Sequence, residues 1–275
     1  MTNTSLAAPG YMRTTPIMED QAYKNLLAYI VTNTISGEIM AVNNYTAMVP
    51  LLDDVEEKIN TVQQARDEGG HVMMLSNLGR RIDFPTIQKI VEPQWKEIGR
   101  FVKQCAHNED LTACLIAQDL MVETFATVAY GALQRNTDEY TRDFAAKIMI
   151  DEVAHLQHGI DSMRRMLDED DEKVHSAFER AHSVVMPAMM SMVNYNCFSL
   201  CAHLDIECKT VSLDVVQQDL DKLRVDAIDT YMEKVDRVGM DSNRIAPLLS
   251  SMVDDDASKW MPKQKSDLEG MGCCA

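Results

Sequence analysis

The chain has 275 residues, 46% of them apolar and 25% charged, with only 11 Gly and 8 Pro but 20 Met. That composition provides a sizeable core and favours long helices over a turn-rich β fold. A formal net charge of −17 argues against nucleic acid or an anionic membrane as the partner, and solvated acidic helix faces account for it.

Residues 1–17 carry Thr, Ala, Pro and Gly without period and read as a flexible leader. They lack the basic and apolar regions of a signal peptide. From Glu19 to Leu52, Leu26, Leu27, Ile30, Val31, Ile35, Glu38, Val42 and Tyr45 recur at helical steps. Pro50 and Asp53–Asp54 mark a turn and an N-cap. A second helix is expected from Asp54 to Leu78 through Val55, Ile59, Val62, Ala65, Glu68, His71, Val72 and Leu75. A connector from Thr86 to His107 is interrupted by Pro93. Leu111–Leu133 is apolar on most sides, the mark of a central helix. Beyond the break at Gln134–Asp138, a long helix carries Phe144 to Leu167, and the acidic run Asp168–Glu172 starts the next. Helices over Val174–Leu204 and Leu213–Val238 complete an all-α domain spanning 18–253, with a polar tail over 254–275. No apolar run approaches the ~18 residues of a membrane span. Seven scattered cysteines read as reduced thiols in a cytoplasmic compartment.

Two D-E-x-x-H motifs stand 84 residues apart: Asp67-Glu68-Gly69-Gly70-His71 and Asp151-Glu152-Val153-Ala154-His155. On a helix, residues three apart share a face, so each Glu–His pair can bind one metal. One such motif arises often by chance; two in matched positions do not. Each is preceded by a helix with a single carboxylate on an apolar face, Glu38 and Glu123. An unpaired carboxylate among Leu120, Met121, Phe125 and Ala126 is costly to bury, and a metal offsets that cost. The order E, E-x-x-H, E, E-x-x-H is that of ferritin-like di-iron carboxylate bundles. Carboxylates with imidazoles suit iron or manganese, whereas a soft site would recruit Cys. Asp67 and Asp151 are acceptors able to hold an imidazole in one tautomer, and His158, one turn beyond His155, is a further supporting candidate. Tyr45 and Tyr130 each follow their carboxylate by seven residues; each is core packing, a substrate-channel wall or a hydrogen-bond donor. Gly69 and Gly70 each cost about 1 kcal/mol in a helix. They allow close helix approach or a local distortion, or are a dispensable irregularity.

From Ala22 to Leu167, and more weakly to Val253, the sequence resembles the cyanobacterial aldehyde-deformylating oxygenases of the ferritin-like superfamily. The matching stretches are Gly37-Glu38 with Asn44-Tyr45, the motif at Glu68, Cys114-Leu115-Ile116 through Glu123 to Ala129-Tyr130, and Asp151-Glu152-x-x-His155. The resemblance implies a ferritin-like four-helix bundle core with additional C-terminal helices. It implies Glu38, Glu68, His71, Glu123, Glu152 and His155 as ligands of two Fe ions. It also implies Tyr45 and Tyr130 along a substrate channel, with Phe125 and Met121 as apolar candidates beside it. The implied reaction converts a long-chain fatty aldehyde to alkane and formate with O2 and an external electron donor of ferredoxin or other reductase type. Asp67, the glycine pair and Met73–Arg81 differ from that family's pattern.

Several alternatives stay open: an Mn/Fe centre, a hydroxylase or N-oxygenase of a specialised metabolite, and, outside enzymes, ferritin-like iron storage or ligand binding. Met186, Met189, Met190 and Met192 are expected to pack adaptably or to form a flexible wall for an apolar substrate. Cys197 and Cys201 read as a buried thiol pair, and His182 and His203 as ordinary histidines. The tail cysteines Cys273 and Cys274 form a vicinal pair that reads as a loose end, with electron relay or metal binding as the functional alternative.

Overall fold

The computed structural model describes residues 17–84, 93–204, 213–216, 218, 220–241, 243–245 and 247–248. The leader up to residue 16, the tail with Cys273 and Cys274, and the side chains of Cys197, Cys201 and His203 lie outside them. All regular structure among the described residues is helical. The helices are α1 (Gln21–Met48), α2 (Val55–Arg81), α3 (Pro93–His107), α4 (Leu111–Leu115), α5 (Glu123–Leu133), α6 (Glu139–Glu169), α7 (Asp171–Leu204) and α8 (Leu220–Val238).

Aspartates start five of these helices. Asp20, Asp54, Asp110 and Asp138 each accept a backbone N–H from the first turn of α1, α2, α4 and α6, and Asp170 does the same for α7. A carboxylate there satisfies an orphan donor and meets the positive end of the helix dipole. Part of the chain's negative charge therefore specifies helix boundaries.

α1 pairs with α2, α5 pairs with α6, and α2 closes on α6. α3, α7 and α8 wrap this core. Between α4 and α5 the chain winds as a π-helix over Ile116–Val122, where an uninterrupted α-helix was expected. The stretch is buried throughout, Gln118 and Asp119 included, so its residue pattern suits either winding; π segments of this kind cluster at functional sites. Against the expectation that no apolar stretch reaches span length, Leu111–Leu133 is long and apolar enough to cross a membrane, but most of it is buried within the protein.

Apolar side chains form two clusters. One joins Tyr23–Ile35 of α1 to Leu75–Ile82, Tyr130 and Phe144–Ile148. The other joins Met40–Met48 to Trp95, the π-helix, Leu156–Met163 and α7, including Met186, Met189 and Met192. Those methionines pack as adaptable core, and His182 is held by the Tyr231 hydroxyl and the Leu248 carbonyl, at 3.0 and 2.9 Å.

One expectation is corrected. The helical recurrence through Val55, Ile59 and Val62 suggests a buried stripe on α2, yet they are 68, 61 and 53% exposed. The inner face is instead Thr61, Gln64, Ala65, Glu68, His71 and Leu75, rotated away from the aliphatic stripe. Polar residues hold the inward position because the site itself is polar.

Candidate metal centre

Glu38, Glu68, Glu123 and Glu152 fall between the two apolar clusters, each on its own helix. On α1, Glu38 lies between Ile35 of one cluster and Met40 of the other; on α6, Glu152 lies between Ile148 and Leu156. All four carboxylates, with His71 and His155, are at least 93% inaccessible. The six residues predicted from spacing are brought together.

They form two overlapping sets. Glu38, Glu68, His71 and Glu152 each offer a donor atom within 4.8 Å of the others; so do Glu68, Glu123, Glu152 and His155. Glu68 and Glu152 belong to both. The geometry thus has two metal-sized nodes, each with one terminal Glu and one His, and two carboxylates between them.

The donor set fits two divalent cations. Four carboxylates balance two such charges with both imidazoles neutral. Without a cation, both oxygens of Glu152, both nitrogens of His155 and Oε1 of Glu68 are buried with no hydrogen-bond partner, a loss of about 1–3 kcal/mol for each such group. His155 Nδ1 approaches Glu68 Oε1 at 3.2 Å but is not aligned for a hydrogen bond. The electrostatics agree. Burial, then the neighbouring Glu68, pushes Glu38 up to about 8. Burial and Glu123 push Glu152 well above the carboxylate range. Burial disfavours imidazolium at His71 and His155, yet the surrounding carboxylates override it, raising His71 and taking His155 up to about 9. Metal-free, the site holds protons where cations would sit.

The supporting residues cross between halves. His71 Nε2 lies 3.2 Å from Asp151 Oδ2, and His155 Nε2 lies 3.7 Å from Asp67 Oδ2. Tyr45 donates to Glu123 Oε1 at 2.9 Å, and Tyr130 donates to Glu38 Oε1. Both phenols are raised, burial being the largest cause, so both remain donors. Met121 is fully buried and Phe125 half-buried in the cluster on the α3 and α7 side.

Gly69 and Gly70 bring no helix close: a Cβ on either would meet nothing within 4 Å, and α2 runs through both without distortion. The pair therefore serves neither close helix approach nor a local distortion of α2.

Residues not foreseen complete the support. Asn44 Nδ2 donates to Gln118 Oε1 at 2.7 Å, and Gln118 Nε2 donates to Glu123 Oε1 at 2.8 Å. His158 is not directed at the cluster. Its Nε2 meets Glu57 Oε2 at 2.8 Å and its Nδ1 lies 3.5 Å from Asp119 Oδ2. Asp119 is fully buried and pressed against Gly159. Gln118 and Asp119 carried only one signal, two polar residues inside an apolar helix.

Residues 20–253 match the model of the long-chain fatty aldehyde decarbonylase family. A solved structure described as protein 19 with aldehyde deformylating oxidase activity from Synechococcus is similar at a TM-score of 0.69 and 20% identity, covering 86% of this chain and 99% of its own. A mutant R2-like ligand-binding oxidase with an aerobically reconstituted Mn/Fe cofactor is similar at a TM-score of 0.62 and 18% identity, covering 80% and 84%. The fold is the ferritin-like helical bundle of these structures.

Proposed function

The chain belongs to the long-chain fatty aldehyde decarbonylase family and is an enzyme, and we propose that it is a non-haem di-iron oxygenase converting a long-chain fatty aldehyde to alkane and formate. The carrying observation is the pair of overlapping four-residue sets that share Glu68 and Glu152. Glu38 and His71 would hold one iron, Glu123 and His155 the other, with Glu68 and Glu152 common to both. The iron pair supplies O2 binding, redox equivalents and Lewis acidity.

The protein's own residues supply position and exclusion of water. Tyr45 and Gln118 both donate to Glu123 Oε1, fixing that carboxylate; Tyr130 does so for Glu38. Asp151 and Asp67 face the outer nitrogens of the two imidazoles and favour the tautomer with its free pair inward. The apolar clusters on either side keep the site dry, and Tyr45, Tyr130, Phe125 and Met121 are proposed to border the path of the aliphatic chain. Aldehyde plus O2 exceeds alkane plus formate by one oxygen atom. That atom leaves as water only when electrons and protons arrive from outside, so the reaction requires a reductase or ferredoxin-type donor. The free, buried Cys105 and Cys114 suit the reducing cytoplasm, where we place the enzyme.

An Mn/Fe pair is the second reading, favoured by a donor set with four hard carboxylates and no thiolate. Anaerobic loading with ferrous iron alone or with equal manganese and ferrous iron, then O2 with a panel of aldehydes, amines and arenes, tests both. Two irons per chain and formate equimolar with alkane are expected. A hydroxylated or N-oxygenated product without formate overturns the deformylase reading; two-metal binding that survives the double change Glu123→Ala, His155→Ala overturns the site.

A further inference from the structure

A groove of about 380 Å³ lies between α1 and α3, outside the metal cluster. Ile35, Ile39, Met40 and Trp95 form its apolar floor, with Ile39 40% exposed. Lys96, Arg100 and Lys103 stand along its rim at steps of four and three on α3. All three are exposed, and among the described residues none is paired with a carboxylate. The chain has 43 acidic residues, yet α1 contributes only Glu38, sunk in the metal cluster, and α3 only Glu97. This face is locally cationic on an acidic molecule.

The groove also reaches the centre. Asn44 lines it and leads through Gln118 to Glu123 by hydrogen bonds of 2.7 and 2.8 Å. Trp95 rests on Gly37, where an added Cβ would lie 3.0 Å from the indole ring; the next residue is Glu38. One surface patch therefore connects by short paths to a carboxylate of each half-site.

We propose that this face docks a small acidic protein carrying one electron at a time, whose carboxylates meet Lys96, Arg100 and Lys103 around an apolar contact in the groove. The proposal rests on the di-iron reading above, which requires outside electrons. Each encounter oxidises the carrier by one electron and reduces the centre by one, so two encounters reduce a two-metal centre by two. An anionic bilayer fits less well, because it would face the net −17 of the whole molecule rather than one patch. Complementary patches act mainly on encounter rate and salt dependence.

The test uses the full metal-loaded chain with Lys96→Glu, Arg100→Glu and Lys103→Glu combined. A reduced acidic [2Fe–2S] ferredoxin is the protein donor, and reduced methyl viologen is the small donor. With ferredoxin, the variant should turn over roughly tenfold slower or worse, through a higher KM for ferredoxin; with methyl viologen it should keep wild-type turnover. Ferredoxin affinity for the metal-free chain, measured by calorimetry, should fall and lose its salt dependence. Wild-type behaviour with ferredoxin overturns the proposal. So does retained ferredoxin affinity alongside lost binding to phosphatidylglycerol vesicles. If the wild type turns over with neither donor, the di-iron reading fails, and the metal-free binding result still decides the docking claim. The triple glutamine variant serves where charge reversal prevents folding.

Discussion

Asp151 immediately precedes Glu152 on α6, yet its carboxylate faces His71 on α2, with Oδ2 3.2 Å from Nε2. The equivalent residue of the first motif, Asp67, lies 3.7 Å from His155. Each motif thus supports the histidine of the other, and Tyr45 and Tyr130 cross in the same way. Exchanged supports lock α1 and α2 to α5 and α6, so neither half of the site is complete alone.

The crossing makes Asp151→Asn a test of the half-site bearing Glu38 and His71. Loss of such an acceptor costs roughly 10–100-fold in metal affinity. Because the Asp151 side chain is 45% exposed, the lower end is expected, about tenfold, at one of two metals. Asp67→Asn should act on the other metal and more weakly, given its longer distance. Competition titration with a chelator resolves the two steps; equal weakening of both metals by Asp151→Asn would contradict the assignment.

Much of this site was legible because its signals are local. Glu68 with His71 and Glu152 with His155 are spaced by one helical turn, and an isolated carboxylate on an apolar face stands out as Glu38 and Glu123 do. The crossing was not legible, since Asp67 and Asp151 adjoin ligands of both halves in either arrangement. The π winding at Ile116–Val122 escaped for a different reason: it depends on backbone bonding, which a mostly apolar stretch interrupted by Gln118 and Asp119 does not encode. Nor could apolar count alone orient α2, where Val55, Ile59 and Val62 face outward because the inner face serves the metal site.

Tyr45→Phe removes one of two donors to Glu123 Oε1 and leaves Gln118 as the other. A hydrogen bond to a charged acceptor contributes about 1.5–3 kcal/mol. Metal affinity at the half-site of Glu123 and His155 should therefore fall roughly tenfold or more, with the fold intact by circular dichroism. Tyr130→Phe should shift the effect to the half-site of Glu38 and His71. An effect of Tyr45→Phe confined to aldehyde KM would instead assign that residue to the substrate path alone.

Gly159 is required by contact. A Cβ there would lie 2.4 Å from Asp119 Cβ and 3.2 Å from that residue's backbone, and neither neighbour is a flexible side-chain end. Gly159→Ala forces α6 from the π-helix, at about 1–3 kcal/mol or more. A lowered urea midpoint with unchanged slope is expected, and a wild-type midpoint would show that the helices separate freely.

Gly69 and Gly70 predict the opposite sign. Neither has a neighbour within 4 Å of an added Cβ, and both lie inside a regular helix. Replacing either with Ala should stabilise the protein by about 1 kcal/mol. Denaturant melts of both variants, with and without iron, check this; a loss of stability would mean the space above them is needed by something the bare fold does not show.

The pH dependence of the metal-free protein follows from the direction of the shifts. Burial and Glu68 lift Glu38 from 4.5 to about 8. The adjacent Glu68 carboxylate lifts His155 from 6.5 to about 9 despite its burial, and the Asp119 carboxylate does the same for His158. Each group binds its proton more tightly folded than unfolded, so the folded state holds more protons across this range. Their stabilisation is complete below the unfolded values and is lost as pH rises through the folded ones. Glu68 is shifted downward, so its contribution is already complete above its unfolded value and does not oppose the trend. In EDTA, Tm should therefore fall between about pH 6 and about pH 9. Metals displace these same protons, so affinity should rise over that interval and the loaded protein should lose less stability, or none. Scanning calorimetry on both forms decides it: a metal-free Tm that climbs with pH would mean these carboxylates and imidazoles do not share protons as the geometry requires.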